Sequence, residues 1–300
     1  EGYDKDYVAA VNIASAPTGQ LIPPSNTLIV YATVAGSVSV AALFMAGYIP
    51  GIAWGISLMF IAGYMAKKRG YVSTFSVTPK EALKVLWDAL PSLLLIIIVI
   101  GGILKGVFTA TEGSAIAVVY ALILSLCYRS LKIKDLPSII LSSCKTTCIV
   151  IFMIGVSSIM SWVMAYTMIP TAIANAMLSL SSNKYVILLL MNVILLVVGT
   201  FMDPTPAVLI FTPIFLPICQ SFGMDPVQFG IMIVFNLCIG TITPPVGVIL
   251  FTGCKVVGIS IEGVIKTLLP FFAAIAVVLL LVTYVPAMSM WIPSMLGLVK

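Results

Sequence analysis

The sequence predicts an all-α integral membrane protein in which two related helices are interrupted inside the membrane. Hydrophobic residues make up 61% of the 300 residues and charged residues only 8%, whereas soluble domains carry about 25% charged residues. Apolar stretches of roughly 20 residues recur along the whole chain, which favours spanning helices over the alternating strands of a barrel. The two other observations behind this prediction are a repeated Gly-x-x-x-Pro-Pro motif and an aspartate within an apolar run.

Composition also argues against several functional classes. The net charge of +5 comes from basic residues in short loops between spans, which is not a nucleic-acid-binding pattern. The chain has no histidine, and its six cysteines form no Cys-x-x-Cys pair. A transition-metal centre or a histidine-based catalytic triad is therefore not expected.

Proline, glycine and charged residues delimit the apolar runs and so define the expected elements. Prolines interrupt helices because they lack the main-chain donor, and Lys80, Glu81 and Lys84 make one stretch amphipathic. In chain order we predict a short helix at about 7–19, a helical piece from Pro23 and Pro24 to Gly36, a span at 43–66, an amphipathic connector at 79–88, spans at 89–108 and 114–128, a long helix at 138–166, an interfacial stretch at 170–184, a hairpin at 186–219, a broken span at 227–257 and a last span at 267–290.

Two basic loops give the expected topology. One holds Lys67, Lys68 and Arg69, the other begins at Arg129, and two spans separate them, so both fall on the same side. The positive-inside rule makes that side cytoplasmic. Following the chain from there places the start of the hairpin and the C-terminus on the outer side.

Asp203 marks a candidate functional site. It follows Gly199-Thr200-Phe201-Met202, prolines occupy positions 204 and 206, and apolar runs lie on both sides. A carboxylate at membrane depth costs several kcal/mol unless something pairs with it. Interrupted backbone at that depth is tolerated only where it lines a cavity or coordinates a solute. This segment is typical of half of an ion-coupled transport site.

A second copy of one motif appears when the chain is compared with itself at an offset of 221 residues. The matched pairs are Gly2 with Gly223, Asp4 with Asp225, Gly19 with Gly240, Pro23 and Pro24 with Pro244 and Pro245, and Ser39 with Ser260. By the predicted topology the two copies cross the membrane in opposite directions, which is the inverted repeat of alternating-access transporters. Because a hairpin precedes the second copy, we expect one ahead of the first copy as well, upstream of this chain.

The chemistry of both interruptions suits sodium, since a small hard cation prefers oxygen ligands. Unwound backbone frees carbonyl groups, and hydroxyl, amide and carboxylate side chains are close by. The predicted sodium-binding residues are Ser15, Gly19, Pro23, Ser25, Asn26, Gly199, Thr200, Met202, Asp203, Asn236, Gly240, Thr241 and Thr243. Helix N-termini just after the paired prolines favour an anionic substrate, for which the candidates are Ser25, Asn26, Asp203, Thr205 and Pro245. The alternative is that proline and glycine merely kink the helices while serine and threonine pack between them.

At these residues the chain resembles the large membrane subunit of tripartite ATP-independent periplasmic (TRAP) transporters, the DctM-like family. The resemblance rests on Ala-Ser-Ala-Pro-Thr-Gly-Gln-Leu-Ile-Pro-Pro-Ser, Phe-Thr-Ala-Thr-Glu-Gly, Phe-Met-Asp-Pro and Gly-Thr-Ile-Thr-Pro-Pro-Val-Gly in that order. It covers essentially the whole chain, which would form the C-terminal two-thirds of such a subunit.

The resemblance implies an elevator-type transporter of the ion transporter superfamily, in the bacterial inner membrane, that takes up an organic acid with sodium and is not an enzyme. It implies two partners, a small four-helix membrane subunit and a periplasmic substrate-binding protein. The segment Ser25-Asn26-Thr27 after the paired prolines looks most like members that carry sialic acid. Four parts are expected: a first transport segment at 1–40, scaffold spans and connectors at 41–184, a second transport segment at 185–258 and a scaffold span at 259–300.

Two competing hypotheses remain at this stage. A stand-alone sodium/dicarboxylate symporter or an ion antiporter would share the broken helices but would work without a periplasmic partner. An intramembrane protease or lipid transferase would need a catalytic set, but the second carboxylate of an aspartyl site is missing beside Asp203 and no Gly-x-Ser-x-Gly is present. An ATP-driven permease is not a third candidate on this sequence: it would need a Gly-x-x-x-x-Gly-Lys-Ser/Thr loop here or on a partner, and this chain has none.

Overall fold

A computed structural model describes residues 2–36, 38–71, 78–168, 172–173, 175–176, 179 and 183–299. Secondary structure in these residues is helical throughout. The helices are α1 (Lys5–Ser15), α2 (Thr18–Leu21), α3 (Asn26–Ala35), α4 (Val40–Lys68), α5 (Pro79–Leu104), α6 (Ala110–Cys127), α7 (Leu136–Tyr166), α8 (Lys184–Phe201), α9 (Pro204–Ser221), α10 (Pro226–Gly240), α11 (Val248–Val257), α12 (Ile261–Tyr284) and α13 (Ala287–Met295), with a short 3-10 turn at Ile133–Asp135.

Among the described residues, seven helical segments are long and apolar enough to cross a membrane. They are Val40–Lys68, Pro79–Leu104, Ala110–Cys127, Ile133–Val156, Lys184–Phe201, Pro204–Ser221 and Ile261–Tyr284. The prediction of an all-α membrane protein is confirmed.

The two copies of the repeat adopt matching local structures. Asp4 and Asp225 are the N-caps of α1 and α10, and each follows a glycine with positive φ, Gly2 at 80° and Gly223 at 75°. Ser39 and Ser260 cap α4 and α12, and each hydroxyl accepts from the main-chain nitrogen three residues on. The Pro23–Pro24 and Pro244–Pro245 bonds are both cis.

Each copy packs against the helices of the other. Helix α1 of the first copy contacts α11 and α12, while α10 of the second copy contacts α3 and α4. The contacts between the two copies are therefore reciprocal. Both helices of the α8–α9 hairpin pack on α10 of the second copy, and α9 also packs on α3 of the first. Helices α1 and α11 border a groove of about 510 Å³ lined by Asn12, Ile13 and Gly253.

The structure forms two compact units, one of residues 1–71 and 157–300 and the other of residues 72–156. In the first unit, α4 and α12 pack directly on the broken helices. Both are expected in the scaffold, and the division into transport and scaffold parts at residues 41 and 259 stays a prediction. Which parts move and which stay fixed remains a prediction.

In the second unit the amphipathic connector expected at 79–88 is not a separate element. Helix α5 runs from Pro79 to Leu104 without interruption, starting at a capping box in which Thr78 and Glu81 satisfy each other's main-chain nitrogens. It packs on α6, and Tyr120 donates to the carbonyl of Pro91, 2.6 Å away. The interfacial stretch expected at 170–184 lies largely outside the described residues.

Candidate ion and substrate site

Asp203 lies at the tip of a helical hairpin. Helix α8 ends at Phe201 and α9 begins at Pro204, which leaves only Met202 and Asp203 in the turn. The Asp203 Oδ1 accepts a hydrogen bond from the Thr205 nitrogen at 3.1 Å and so caps α9. The side chain is exposed at the surface of the described structure. The α9 N-terminus offsets part of its charge, and its second oxygen remains available to a cation.

The hairpin tip packs onto the interruption of the second copy. A Cβ added at Gly199 would lie 3.1 Å from the Cα of Gly240, so neither position has room for a side chain. Just beyond, the Gly247 nitrogen donates to the Thr200 carbonyl at 3.1 Å, with Gly247 at φ +51°. Close backbone approach thus brings the end of α8 against the unwound segment between α10 and α11.

Oxygen atoms line that unwound segment. The Thr241 and Thr243 hydroxyls each donate at 2.7 Å to a carbonyl of the last α10 turn, Cys238 and Ile239 respectively. Their oxygen lone pairs stay free, because a hydroxyl that donates can still accept or ligate. A Cβ added at Gly247 would lie 3.2 Å from the Thr241 carbonyl oxygen and 2.9 Å from that of Thr243. The Thr241 carbonyl also accepts a hydrogen bond from the Ile249 nitrogen at 3.0 Å.

The first interruption carries a similar set of polar groups, but it is more exposed. The Ser25 hydroxyl donates to the Gln20 carbonyl and accepts from the Leu28 nitrogen at 3.3 Å, and only 2% of Ser25 is exposed. Asn26 begins α3 with an exposed side chain. Gly19 is exposed and has nothing near its would-be Cβ, in contrast to its counterpart Gly240.

The remaining predicted residues fall into three groups. Gly199, Thr200, Gly240 and Thr241 lie together and are buried, and Pro23 is buried at the first interruption. Thr205 is half-buried beside the hairpin tip, while Pro245 is exposed in the second interruption. Ser15 is exposed at the end of α1, where its hydroxyl donates to the Asn12 carbonyl at 3.2 Å.

Asn236 is fully buried below the second interruption and joins three helices. Its Nδ2 donates at 2.6 Å to Asn192 Oδ1 on α8, and Asn192 in turn donates at 3.0 Å to the Thr283 hydroxyl on α12. The Oδ1 of Asn236 is buried without a hydrogen-bond partner among the described atoms. The asparagine therefore holds the helices together through its amide nitrogen and keeps one oxygen unused.

Sequence reasoning missed Gln20 and Cys238, which lie between the two interruptions. Gln20 belongs to α2, and its Oε1 is 3.3 Å from the Sγ of Cys238 near the end of α10. Cys238 is fully buried. Gln20 could have been noticed, since it is the one amide inside the first Gly-x-x-x-Pro-Pro motif, but nothing in the sequence pairs it with Cys238.

An ion-pair cluster fixes the start of α1, and its charged members Asp4, Asp6 and Arg69 lie outside the seven candidate spans. Arg69 binds Asp6 through two hydrogen bonds of 2.9 and 2.7 Å, and Asp4 through a third of 3.1 Å. Thr267 of α12 also donates to Asp6, at 2.6 Å. The hydrogen bonds from the guanidinium hold the pKa of the Asp6 carboxyl well below its usual range.

The donor set fits a hard cation. Within the described ranges no three histidine, cysteine or acidic side chains group together. A cation here would therefore be held by main-chain, hydroxyl and amide oxygens with Asp203 as the charged group, which are the ligands of an alkali or alkaline-earth ion.

Comparison with known proteins adds an independent finding. Residues 1–288 match the family described as the tripartite ATP-independent periplasmic transporter, DctM component. The uncharacterized protein YgiK of Salmonella typhimurium is 52% identical over 98% of this chain and 68% of its own length. The isethionate TRAP transporter permease DctMQ of Oleidesulfovibrio alaskensis is 40% identical over 97% of this chain and 46% of its own length. The sialic acid TRAP transporter large permease SiaM of Vibrio cholerae is 35% identical, over 98% and 69%.

Proposed function

Because the chain belongs to the DctM family of large TRAP transporter permeases, we propose that it carries an organic acid into the cell with sodium. As a member of that family it is a multi-pass transport protein of the inner membrane and not an enzyme. It spans 68% of YgiK, 69% of SiaM and 46% of DctMQ, so the activity of the complete permease is part of the proposal.

The contact between hairpin tip and interrupted helix carries the proposal. The Gly247–Thr200 hydrogen bond and the Gly199–Gly240 approach hold a carboxylate-bearing tip beside the hydroxyl and carbonyl oxygens of the unwound segment. Such an arrangement binds a cation by offsetting its charge with Asp203 and by replacing its water ligands with protein oxygens. If the interruption were only a kink in a helix, the α8–α9 hairpin would not need to pack against it.

We propose two sodium sites, one for each interruption. The second uses Gly199, Thr200, Met202, Asp203, Asn236, Gly240, Thr241 and Thr243, and the first uses Ser15, Gly19, Pro23, Ser25 and Asn26. The substrate anion would lie near Ser25, Asn26, Asp203, Thr205 and Pro245, where the N-termini of α3 and α11 contribute positive partial charge. Bound sodium would further offset the repulsion between Asp203 and an anionic substrate.

Within organic acids, sialic acid is our sequence-based candidate, because the segment Ser25-Asn26-Thr27 follows the first paired prolines. The competing candidate is a small sulfonate, because the DctMQ relative is named for isethionate and is 40% identical, against 35% for SiaM. Uptake of radiolabelled sialic acid and isethionate by the same preparation would discriminate between them.

We propose that a small four-helix membrane subunit and a periplasmic binding protein complete the system. The support is family membership, together with the name DctMQ of a relative that is about twice as long as the matched region. The deciding experiment reconstitutes the complete permease with its small subunit in proteoliposomes and measures substrate uptake with and without the binding protein. Each condition is run with an inward sodium gradient and with choline in place of sodium.

We expect uptake only with both sodium and the binding protein, and an inside-positive potential as charge enters. Uptake that persists in choline would refute sodium coupling. Full uptake without a binding protein would instead favour a stand-alone symporter.

A further inference from the structure

Gln20 and Cys238 make a side-chain contact between the two interrupted segments. The Cys238 thiol lies 3.3 Å from Gln20 Oε1, in line with an S–H donor and an amide acceptor. Helix α2, which carries Gln20, packs on α10, which carries Cys238. The contact therefore joins the first copy of the repeat to the second.

Each of these residues is also hydrogen-bonded to a proposed sodium ligand. On one side the Ser25 hydroxyl donates to the Gln20 carbonyl. On the other side the Thr241 hydroxyl donates at 2.7 Å to the Cys238 carbonyl. A continuous chain of three contacts thus connects Ser25 to Thr241, and only Gln20 and Cys238 intervene.

Burial keeps this chain intact. Cys238 has no exposed surface, and Ser25 and Thr241 are each only 2% exposed. Gln20 itself is half-buried. Water has little access to the three buried groups, and hydrogen bonds are electrostatically stronger in such surroundings. Even the weak donor of a thiol therefore restrains the position of the Gln20 side chain.

We propose that Gln20 and Cys238 are positioning residues that couple the two sodium sites. A sodium ion at the first interruption fixes Ser25, and through Gln20 and Cys238 it also orders the turn that carries Thr241. The second ion then binds to a segment that is already ordered, so its affinity is higher. This coupling rests on the proposed function, because it requires two sodium sites.

The first measurement detects sodium binding without transport, as the sodium-dependent rise in melting temperature of the purified complete permease in detergent. The second measures sodium activation of uptake. Cys238→Ala removes the donor, and Gln20→Met removes the acceptor with little change in size. Cys238→Ser keeps a donor of similar size and serves as the rescue. Cys254→Ala is the matched control, since Cys254 is 3% exposed but lies on α11 outside the chain of contacts.

We expect a Hill coefficient above one for the unaltered protein and for Cys238→Ser and Cys254→Ala. In Cys238→Ala and Gln20→Met it should fall to about one, and half-saturation should require about three to ten times more sodium. Uptake at saturating sodium should be largely kept. The double variant should be no worse than either single one, because both changes cut the same contact.

Three results would overturn the coupling. They are a Hill coefficient of one in the unaltered protein, an unchanged coefficient in both Cys238→Ala and Gln20→Met, and equal losses in Cys254→Ala. An unaltered protein that shows no sodium effect on melting or uptake would refute the proposed function as well, which separates the two failures.

Discussion

The Gly247 nitrogen donates to the Thr200 carbonyl at 3.1 Å, and this bond joins the hairpin to the interrupted helix. It uses one of the last α8 carbonyls, which have no partner within their own helix. It also holds Gly247 at φ +51°, a conformation that favours glycine. The end of α8 and the unwound turn thus satisfy each other's main-chain hydrogen-bonding groups. This holds the neighbouring tip residue Asp203 in place.

A side chain at Gly240 should separate these two elements. The Cβ of Gly240→Ala would collide with the backbone of Gly199, and backbone atoms cannot move aside as a flexible side chain can. We expect sodium half-saturation of uptake to rise by tenfold or more and the melting temperature to fall. Gly55→Ala is the control, because nothing lies within 4 Å of its would-be Cβ. Equal behaviour of the two variants would show that the close approach has no role in the site.

The charge of Asp203 can be separated from its capping role. Asn is as good an N-cap as Asp, so Asp203→Asn should keep the α9 start while it removes the charge that offsets a bound cation. We expect normal insertion and a loss of sodium affinity of tenfold or more, measured by sodium titration of uptake.

Asp225→Asn is the matched control for that experiment. Asp225 caps α10 with the same geometry, 2.7 Å to the Val227 nitrogen, but lies at the opposite end of that helix from the interruption. Sodium dependence should survive in this variant. Unaltered sodium dependence in Asp203→Asn would assign the Asp203 carboxylate a structural role only.

The Arg69–Asp6 pair should make stability depend on pH. Because Arg69 lowers the pKa of Asp6 in the folded state, the pair contributes fully above the ordinary aspartate pKa of about 4. The contribution is lost as the pH falls through the lower folded-state pKa. Asp6→Asn should reduce the melting temperature by several degrees at pH 7 and flatten its decline in acid.

Asp4→Asn provides the comparison for Asp6→Asn. The Asp4 side chain is 62% exposed and makes a single contact with Arg69, against 30% and two contacts for Asp6. Exposed pairs contribute about 0–1 kcal/mol, so Asp4→Asn should lower the melting temperature less than Asp6→Asn does. A larger loss in Asp4→Asn would mean that Tyr71, which donates to Asp4 at 2.6 Å, organises the cluster instead.

The sequence predicted those features that follow from local rules. The repeat paired Asp4 with Asp225 and Ser39 with Ser260, and in the structure all four are helix N-caps. The hairpin follows from the apolar runs on both sides of Asp203. Pro91 could not be assigned in this way. From sequence alone, a proline that ends a helix cannot be distinguished from one inside a helix, and α5 continues through Pro91.

Contacts between distant helices escaped prediction for a different reason. Helices that are apolar on every side do not show which face meets which neighbour. The Asn192–Asn236–Thr283 bonds and the Gln20–Cys238 contact depend on that choice, and so does the packing of α4 and α12 on the broken helices. The sequence shows which single polar residues lie in apolar helices, but it does not show which residues they contact.

The last prediction concerns movement of the two interruptions. Both belong to the same compact unit and are joined by the contacts between α2 and α10. An elevator would carry them across the membrane as one body, so cysteines at the two interruptions should change accessibility together. Val246→Cys lies next to Pro245, and Ala16→Cys lies at the end of α1, where the first interruption begins; both positions are exposed.

The measurement is labelling with a membrane-impermeant thiol reagent, with and without sodium, substrate and binding protein. The background replaces the six native cysteines, with serine at Cys238 so that its donor to Gln20 is kept. Joint loss or gain of labelling during turnover at both positions is the expected result, because coupled interruptions cannot move independently. If Val246→Cys changes and Ala16→Cys does not, the hairpin opens over a fixed site, and the transporter is gated at its tip instead of moving as an elevator.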